Sequence, residues 1–382
     1  MQGKDVKIIA AYLPQFHRTP ENDAWWGEGF TDWIAAKNAT PLFPGHVQPK
    51  VPLNNNYYSL DNVDAIRWQV ELAKKYGVYG FAIYHYWFSS KQQLLTKPAE
   101  LILQNKDIDT HFMFIWDNNS WKRTWSKIEA NDWAPLYDNK TNVSQQNGML
   151  AELIYGDEKE WKAHFDYLLP YFKDERYIKV DNKPIFGFYT KNGKLDPVCY
   201  DMVRYWDNLA KEHGFDGVFC MSKYHWKKDH SIYGNMNYFS NRYVHGNAMS
   251  GSLWGSLINK FIKAYTLLRY KLRILPYDRM WKNMLKASKK IDANTWLGGF
   301  VSYDDTPRRG LNGIVFKGAT PQKFQKYLTE LLKISKQQGK EYVFVTAWNE
   351  WGEGMCLEPD EENGYGYLEA LQSALREVNG RN

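Results

Sequence analysis

Short apolar runs alternate with amphipathic segments along this chain. Runs rich in β-branched and aromatic residues are typical of buried strands, and they occupy residues 6–13, 78–88, 111–116, 184–189, 217–221, 238–244, 296–303 and 342–346. Segments with apolar residues at helical spacing lie between them, at residues 62–76, 97–105, 157–172, 197–213, 254–275, 321–338 and 367–378. Alternation of this kind implies parallel strands that are joined by crossover helices.

Eight such units favour a single α/β domain, a (β/α)8 TIM barrel with long βα loops that spans residues 1–382. A chain of 382 residues has a suitable length for this fold. A doubly wound open sheet is the alternative, although no GxGxxG fingerprint follows the first strand, which disfavours its nucleotide-binding form. Two long, Trp-bearing segments, residues 14–61 and 117–156, interrupt the alternation. Loops this long are usually functional in a compact domain.

Aromatic residues make up 16% of the chain, with 17 Trp and 27 Tyr. This surplus suggests stacking surfaces for carbohydrate, and an aromatic-rich core is the alternative. The net charge of +6 is diffuse, so we expect no nucleic-acid partner. The three cysteines lack CxxC spacing and no HExxH motif is present. We therefore predict no cofactor, while a metal site built from distant oxygen ligands stays open.

The N-terminal residues do not resemble a signal peptide, and no run of about 18 apolar residues is present. We therefore expect a cytoplasmic protein. Residues 254–273 combine an apolar stripe with several lysines and arginines. One hypothesis is a helix that lies on anionic lipid as a peripheral membrane contact. The alternative is the core face of an ordinary barrel helix.

The most informative stretch is residues 342–354, YVFVTAWNEWGEG. A predicted buried strand leads into Glu350 and Glu353, which lie three residues apart among tryptophans and glycines. Carboxylates beside large apolar rings are poorly solvated, so at least one pKa should rise towards neutrality. An acid, a base and an aromatic floor are what glycosidic-bond chemistry needs. A Trp-rich turn with two solvated glutamates is the alternative.

Active sites of barrels lie at the C-terminal ends of the strands, and polar or aromatic clusters recur at those positions here. Besides the catalytic candidates Glu350 and Glu353, the predicted substrate-binding residues are Tyr12, Gln15, His85, Tyr86, Trp87, Trp116, Asp117, Asn118, Trp121, Asp304, Trp348, Asn349 and Trp351. His85 could instead be a core histidine. Asp304 and Asp305 could instead cap the following segment. Arg308 and Arg309 could bind an anionic substrate group or form a solvated pair.

Six blocks together carry a family resemblance: YLPQFH (12–17), ENDAWWGEGFTDW (21–33), PLFPGHVQP (41–49), YGFAIYHYWF (79–88), DDTPRRG (304–310) and WNEWGEG (348–354). The chain resembles WbsX-type proteins, which carry a glycoside hydrolase family 99-like domain and are found in bacterial surface-polysaccharide clusters. The resemblance implies a (β/α)8 barrel and a retaining endo-α-mannosidase or α-mannanase that acts through a 1,2-anhydro sugar. On that pattern Glu350 would be the base that deprotonates the sugar 2-OH, and Glu353 would be the acid/base.

One block departs from the family pattern. An acidic residue is expected after the third strand, where this chain has Asn119, with Asp117 two places earlier. Substrate preference could therefore differ. Two other functions stay open: a glycosyltransferase of surface-polysaccharide assembly and a non-catalytic glycan-binding protein. The Asp107-Ile108-Asp109 triplet precedes a strand, unlike a sugar-nucleotide motif.

Overall fold

The computed structural model describes residues 5–123, 148–189, 196–223, 235–236, 253–291 and 295–380. Its central sheet consists of parallel strands in sequence order. The strands are β1 (Lys7–Tyr12), β2 (Val78–Ser89), β3 (His111–Trp116), β4 (Lys183–Tyr189), β5 (Phe219–Lys223), β6 (Asn235–Met236), β7 (Thr295–Phe300) and β8 (Tyr342–Thr346). Each strand pairs with the next, and β8 also pairs with β1, with Ile9 opposite Phe344. The predicted α/β class with parallel strands is confirmed.

Helices connect these strands. They are α1 (Pro20–Trp26), α2 (Asp32–Asn38), α3 (Val63–Lys75), α4 (Lys97–Gln104), α5 (Glu158–Lys173), α6 (Pro197–Glu212), α7 (Leu253–Tyr270), α8 (Tyr277–Ser288), α9 (Thr306–Arg309), α10 (Pro321–Gln337) and α11 (Gly366–Asn379). Side chains of Asn62, Asp157, Asp196 and Thr320 cap four of the longer helices by accepting from backbone N–H groups. The apolar periodicity and these caps therefore agree on where the helices begin.

The connections between strands and helices contain short additional strand pairs. They are Gln92–Leu94 on β2, Trp121–Lys122 with Met149–Ala151, Lys179–Val180 on β4, Arg273–Pro276 with Ile314–Lys317, and Asn349–Glu350 with Met355–Cys356. The main core lies between the sheet and the helices. On β7, for example, Phe300 stacks on Trp281 of α8 at 5.0 Å between ring centroids. A Cβ on Gly299 would come 2.8 Å from the same indole, so a glycine is needed there.

The structure corrects two predictions and leaves a third untested. Residues 14–61 contain the helices α1 and α2, and the hydroxyl of Thr19 caps α1, which begins at Pro20. The helix predicted over 254–275 ends at Tyr270, and the separate helix α8 follows it. The strand in the sixth position is Asn235–Met236, whereas the predicted run 238–244 lies outside the described residues.

The amphipathic segment 254–273 also differs from one expectation. Large apolar side chains of α7 face the solvent, with exposed fractions of 73% for Phe261 and 87% for Leu268. The interpretation of this stripe as the core face of a helix is therefore wrong. Within the described part of the chain, no helix is both long and apolar enough to cross a membrane.

Candidate active site

Arg308 is buried and contacts three carboxylates. It belongs to α9, which follows β7, and its guanidinium contacts Asp32 of α2 and both Glu350 and Glu353 of the loop after β8. Nη2 lies 2.8 Å from Oε1 of Glu350, and Nη1 lies 3.2 Å from Oε1 of Glu353. One guanidinium therefore holds the two predicted catalytic glutamates side by side.

The charge on this arginine is strongly favoured. Burial opposes a charged guanidinium, but the negative charges of Asp32, Glu350 and Glu353 outweigh it and raise the pKa of Arg308 well above its ordinary value. The sequence left open whether Arg308 binds an anionic substrate group. In the structure its guanidinium is engaged by the chain's own carboxylates instead. This arrangement favours a role in organising the acids over direct substrate binding.

Two glycines shape the loop that carries the glutamates. Gly352 lies against Arg308, and a Cβ at this position would come 2.5 Å from its Nε atom. Gly354 has a φ of 62° and ends the single turn Trp351–Glu353 in the left-handed conformation that suits glycine. Its carbonyl oxygen accepts a hydrogen bond from Lys50 at 3.3 Å. The WNEWGEG spacing therefore lets the backbone pass closely enough for Glu350 and Glu353 to share one guanidinium.

Asp304 is held by its own chain on both oxygens. Oδ2 accepts from His46 at 2.7 Å and from Gln48 at 2.6 Å, and Oδ1 accepts from the backbone N–H and the hydroxyl of Thr306. Burial alone would raise the pKa of Asp304, but these hydrogen bonds outweigh it and lower that pKa. Asp304 is therefore engaged by its own chain and holds the first residue of α9 through Thr306, while Asp305 occupies the N-cap position of that helix without a side-chain cap.

Asp305 lies next to the cluster, and its pKa is raised. Burial, assisted by the negative charge of Glu353, raises the pKa of Asp305 to about 6. Its carboxylate accepts from the hydroxyl of Tyr303 at 2.8 Å and from the backbone N–H of Ile314 at 2.5 Å. The neighbouring Arg309 lies 3.3 Å from the same carboxylate. A raised carboxyl pKa was predicted for Glu350 or Glu353, and the structure provides one on a neighbour of Glu353.

Glu358 is another buried carboxyl, close to the loop after β8. The sequence analysis did not identify it. Its Oε2 accepts from the Tyr58 hydroxyl at 2.8 Å and from the Trp351 indole at 2.7 Å, and its Oε1 accepts from Gln69 at 2.7 Å. Burial raises the pKa of Glu358 to about 7, although these donors partly offset the effect. Tyr12 extends the network by donating to Gln69 at 2.7 Å.

Replacing Glu358 by glutamine should flatten the pH dependence of stability between about pH 4.5 and pH 7. In this window the folded protein favours a protonated carboxyl that the unfolded chain ionises, so wild-type stability falls as the pH rises. The loss amounts to about 3 kcal/mol at most, since one pKa unit corresponds to about 1.4 kcal/mol. Denaturant unfolding at several pH values measures this slope. The exposed Glu362→Gln variant is the control, and an unchanged slope in Glu358→Gln would contradict the prediction.

Tyr86 links the end of β2 to the carboxylate cluster. Burial raises its pKa, and the charges of Asp117, Glu350 and Asp32 raise it further while Arg308 opposes them. The Tyr86 hydroxyl accepts from Gln15 at 2.9 Å. Gln15 after β1, Tyr86 near the end of β2 and Asp117 after β3 therefore lie on the side of the acids after β8.

The block after β3 forms its own hydrogen-bonded turn beside Tyr86. The Trp121 ring lies edge-on to Tyr86 at 5.0 Å, and Asp117 accepts from Asn119 at 2.7 Å. Asn118 donates to the hydroxyl of Tyr155 at 2.8 Å and accepts from the backbone N–H of Tyr189 at 2.8 Å. An acidic residue in place of Asn119 would face Asp117 with like charge. The departure from the family pattern therefore suits this turn.

Three predicted substrate-binding residues pack against α5 instead. The Nε2 atoms of His85 and His164 lie 2.8 Å apart, and Trp87 stacks on His164 at 4.5 Å. Trp116 packs edge-on to His164 at 4.8 Å. Burial lowers the pKa of His85 to about 3, so it stays neutral. We reassign His85, Trp87 and Trp116 to packing of the sheet against α5, because their rings are enclosed by the protein.

Four further predicted residues are fully enclosed near the motif. Tyr12 binds Gln69, and Asn349 exchanges hydrogen bonds with the backbone of Leu13 at 2.8 and 3.0 Å. Trp348 packs on Phe81, and Trp351 binds Glu358. These side chains hold the loop after β8 onto β1 and α3. They are buried beneath the loop that carries the glutamates, so their rings are not exposed for stacking on a sugar.

Two residues that organise the site were missed at the sequence level. Asp32 lies inside the block 21–33, which contributed only to the resemblance. Glu358 lies beyond the motif, in a stretch rich in acids that gives no periodic signal. Their contacts are long-range: Asp32 meets Arg308, and Glu358 meets Gln69. The sign that the sequence offers for these two residues is a nearby tryptophan: Trp33 follows Asp32, and Trp351 precedes Glu358.

The arrangement suits acid–base chemistry on a bound ligand. The Glu350 carboxylate lies 2.8 Å from the Arg308 guanidinium and is buried, which places it where a base could accept a proton from a bound ligand. The Glu353 side chain is more exposed, at 20% against 8% for Glu350. Glu353 is therefore the better placed of the two to reach a leaving group. Polar and aromatic side chains at or just after the C-terminal ends of β1 to β3 lie at the same end of the sheet as the two glutamates, notably Gln15, Tyr86 and Trp121.

Comparison with known sequences identifies relatives over nearly the whole chain. A family model described as Glycosyltransferase WbsX matches residues 8–371. Proteins of two strains of Xanthomonas campestris pv. campestris, each described as Uncharacterized protein WxcX, are 26% identical over 375 residues. The match covers 96% of this chain and 49% of each relative. The chain thus spans about half the length of the curated relatives it matches.

Solved structures share the fold. A GH99 endo-alpha-mannosidase from Bacteroides thetaiotaomicron aligns with a TM-score of 0.53 and 14% identity, covering 99% of this chain and 98% of the other. A structure described as a glycoside hydrolase-like protein aligns with a TM-score of 0.56 and 12% identity, covering 98% and 95%. At these identities the likeness establishes a glycoside hydrolase-like fold and nothing more specific.

Proposed function

Since this chain belongs to the WbsX glycosyltransferase family, we propose that it is an enzyme acting on a glycan at the Arg308 cluster. The observation that carries the proposal is the pair Glu350 and Glu353, held on one buried guanidinium just past the end of β8. Paired carboxylates on a rigid loop are the minimum requirement for cleaving a glycosidic bond. The family and the shared fold support a carbohydrate substrate.

We further propose that the reaction is retaining hydrolysis of an α-mannoside-type linkage. Glu350 accepts the proton of the sugar 2-OH while O2 attacks C1, and Glu353 donates its proton to the departing oxygen. A 1,2-anhydro sugar results. Glu353 then takes a proton from water as the water oxygen attacks C1, and O2 recovers its proton from Glu350. Two displacements at C1 give net retention.

The strand pairings support a single-domain, closed (β/α)8 barrel as the scaffold. Each of the eight parallel strands has a neighbour on both sides, since β8 pairs with β1 and β1 pairs with β2. In such a barrel the loops after the strands meet at one end. The convergence of Asp32, Arg308 and Glu350 from three of these loops, with Tyr86 from the C-terminal part of β2, supports this arrangement.

A glycosyltransferase is the second candidate, because the matching family is described as one. The two reactions differ in what the enzyme needs besides the glycan. A transferase requires a sugar nucleotide or a lipid-linked donor, whereas a hydrolase requires only water. A binding protein without activity is a third candidate, and the burial of Arg308 with Asp32 and Glu350 disfavours it, since buried ion pairs cost stability.

The deciding experiment is turnover on a panel of α-mannosyl oligosaccharides, with and without sugar nucleotides. We expect release of reducing sugar by the wild type without any nucleotide. A matched substrate that lacks the 2-hydroxyl should not be cleaved, because the proposed nucleophile is then missing. Turnover only in the presence of a nucleotide donor would establish the transferase instead. Binding of the panel without turnover would favour the glycan-binding protein.

A further inference from the structure

Helix α7 exposes a continuous apolar stripe. Leu257, Ile258, Phe261, Tyr265 and Leu268 recur at the spacing that places side chains on one face of a helix, and their exposed fractions range from 44% to 87%. The stripe runs for about 16 Å along the helix axis at 1.5 Å per residue. Contiguous exposed apolar surface on this scale usually marks an interaction site.

The opposite face of α7 attaches the helix to the protein. Thr266 is buried and its hydroxyl accepts from the backbone N–H of Ile274 at 3.2 Å. Tyr270 packs on Phe43 at 5.7 Å. Leu272 and Val315 complete this small apolar cluster. Because the helix is anchored from one side, the stripe points away from the body of the protein.

The charged residues of this segment have one sign. Residues 253–277 contain Lys260, Lys263, Arg269, Lys271 and Arg273, and they contain no aspartate or glutamate. On a helical wheel Lys260 and Arg269 flank the stripe on its two sides. Their long side chains can extend towards a charged layer while the apolar residues enter a less polar one.

We propose that α7 docks this protein on an anionic lipid surface. An amphipathic helix with a basic border lies in the plane of the interface, with its apolar face among the acyl chains and its basic residues at the headgroups. The helix is too polar to cross a bilayer. Association is therefore peripheral, reversible and sensitive to salt. The inference stands whichever reaction the Arg308 cluster catalyses.

A second copy of the chain fits this surface less well. A twofold interface places the same patch of both copies face to face. The basic residues beside one stripe would then approach those beside the other, and like charges across an interface disfavour association. An anionic bilayer supplies both the apolar layer and the opposite charge. Charge complementarity thus favours lipid as the occupant.

Vesicle co-sedimentation tests the proposal. The wild type should bind vesicles of phosphatidylcholine with about 30% phosphatidylglycerol at low salt, bind pure phosphatidylcholine poorly, and dissociate as salt is raised. Leu268→Glu should weaken binding about ten-fold or more, since it places a charge in the apolar stripe. Ile154→Glu is the matched control, because Ile154 is a 52% exposed apolar residue outside the stripe. It should bind like the wild type.

A direct readout distinguishes insertion from indirect effects. The cysteines Cys199, Cys220 and Cys356 are buried, so an environment-sensitive dye will react selectively with Phe261→Cys or with Ile154→Cys. The dye at position 261 should shift to shorter emission wavelength on anionic vesicles, and the dye at 154 should not. Absence of wild-type binding at low salt would overturn the proposal. So would self-association that Leu268→Glu abolishes, because it would assign the stripe to a second copy.

Discussion

Replacing Arg308 by methionine should destabilise the protein by about 3–5 kcal/mol, the usual cost of removing one partner from a buried ion pair. Methionine retains much of the apolar stem but supplies no positive charge. Asp32 and Glu350 would stay buried while losing the guanidinium that contacts both. The repulsion between them and Glu353 would then oppose the native arrangement of the loop after β8. We also expect activity to be lost.

The size of this effect should depend on pH. Protonation relieves buried carboxylates that lack a counter-charge, so the penalty should be larger at about pH 8 than at about pH 5. Denaturant unfolding of both proteins at the two pH values measures the difference. A penalty that is equal at both values would show that lost packing, and not lost charge, is the cause.

Arg309 provides the matched control. Its side chain is about one third exposed, and its guanidinium lies 3.3 Å from the carboxylate of Asp305. Partly exposed ion pairs contribute about 0–1 kcal/mol, so Arg309→Met should stay close to the wild type. The losses of unfolding free energy on replacing these two adjacent arginines should therefore differ several-fold. A similar loss for both variants would contradict a special role for Arg308.

The regular elements could be predicted because their signals are local. Residues 111–116 were predicted as a strand and form β3 with the same limits, and the helix that ends before Gly77 follows from its apolar spacing and from the glycine. Short helices in long loops were missed, since α1 is too brief to show a period. Helix α8 was not predicted at all, and the helix predicted over 254–275 ran too far because apolar residues continue through the strand Arg273–Pro276.

The location of the candidate site could be predicted from the sequence, but the side-chain contacts within it could not. The WNEWGEG motif and its place after a strand pointed to Glu350 and Glu353. The orientation of a strand-end side chain could not be read from sequence alone, and His85 and Tyr86 illustrate this limit. These neighbours point to opposite faces of β2, so one packs on α5 and the other meets Gln15. Asp32 joined the site through a contact 276 positions away in sequence.

Exchanging Glu353 for glutamine should reduce turnover of an α-mannosyl oligosaccharide by about a thousand-fold or more, since general acid–base catalysis and the following water attack both depend on it. Glutamine preserves the size of the side chain and an oxygen for the contact with Arg308, which measures 3.2 Å in the wild type. Steady-state kinetics with unfolding measurements on the same samples separates lost chemistry from lost structure. Activity near that of the wild type would remove Glu353 from the mechanism.

The two glutamates should separate on a substrate whose leaving group needs no proton. An aryl α-mannoside with an acidic phenol departs without help from an acid, so the first turnover of Glu353→Gln with enzyme in excess should approach the wild-type rate. Glu350→Gln should remain slow on the same substrate, because the sugar 2-OH still needs a base before O2 can attack C1. Single-turnover release of the phenol measures both rates.

Equal recovery of the two variants would mean that neither glutamate acts on the 2-OH. Recovery of Glu350→Gln alone would exchange the proposed roles. The structure favours Glu350 as the base, since its carboxylate is the more deeply buried of the two and lies 2.8 Å from the Arg308 guanidinium, whereas the more exposed Glu353 can better reach the departing oxygen.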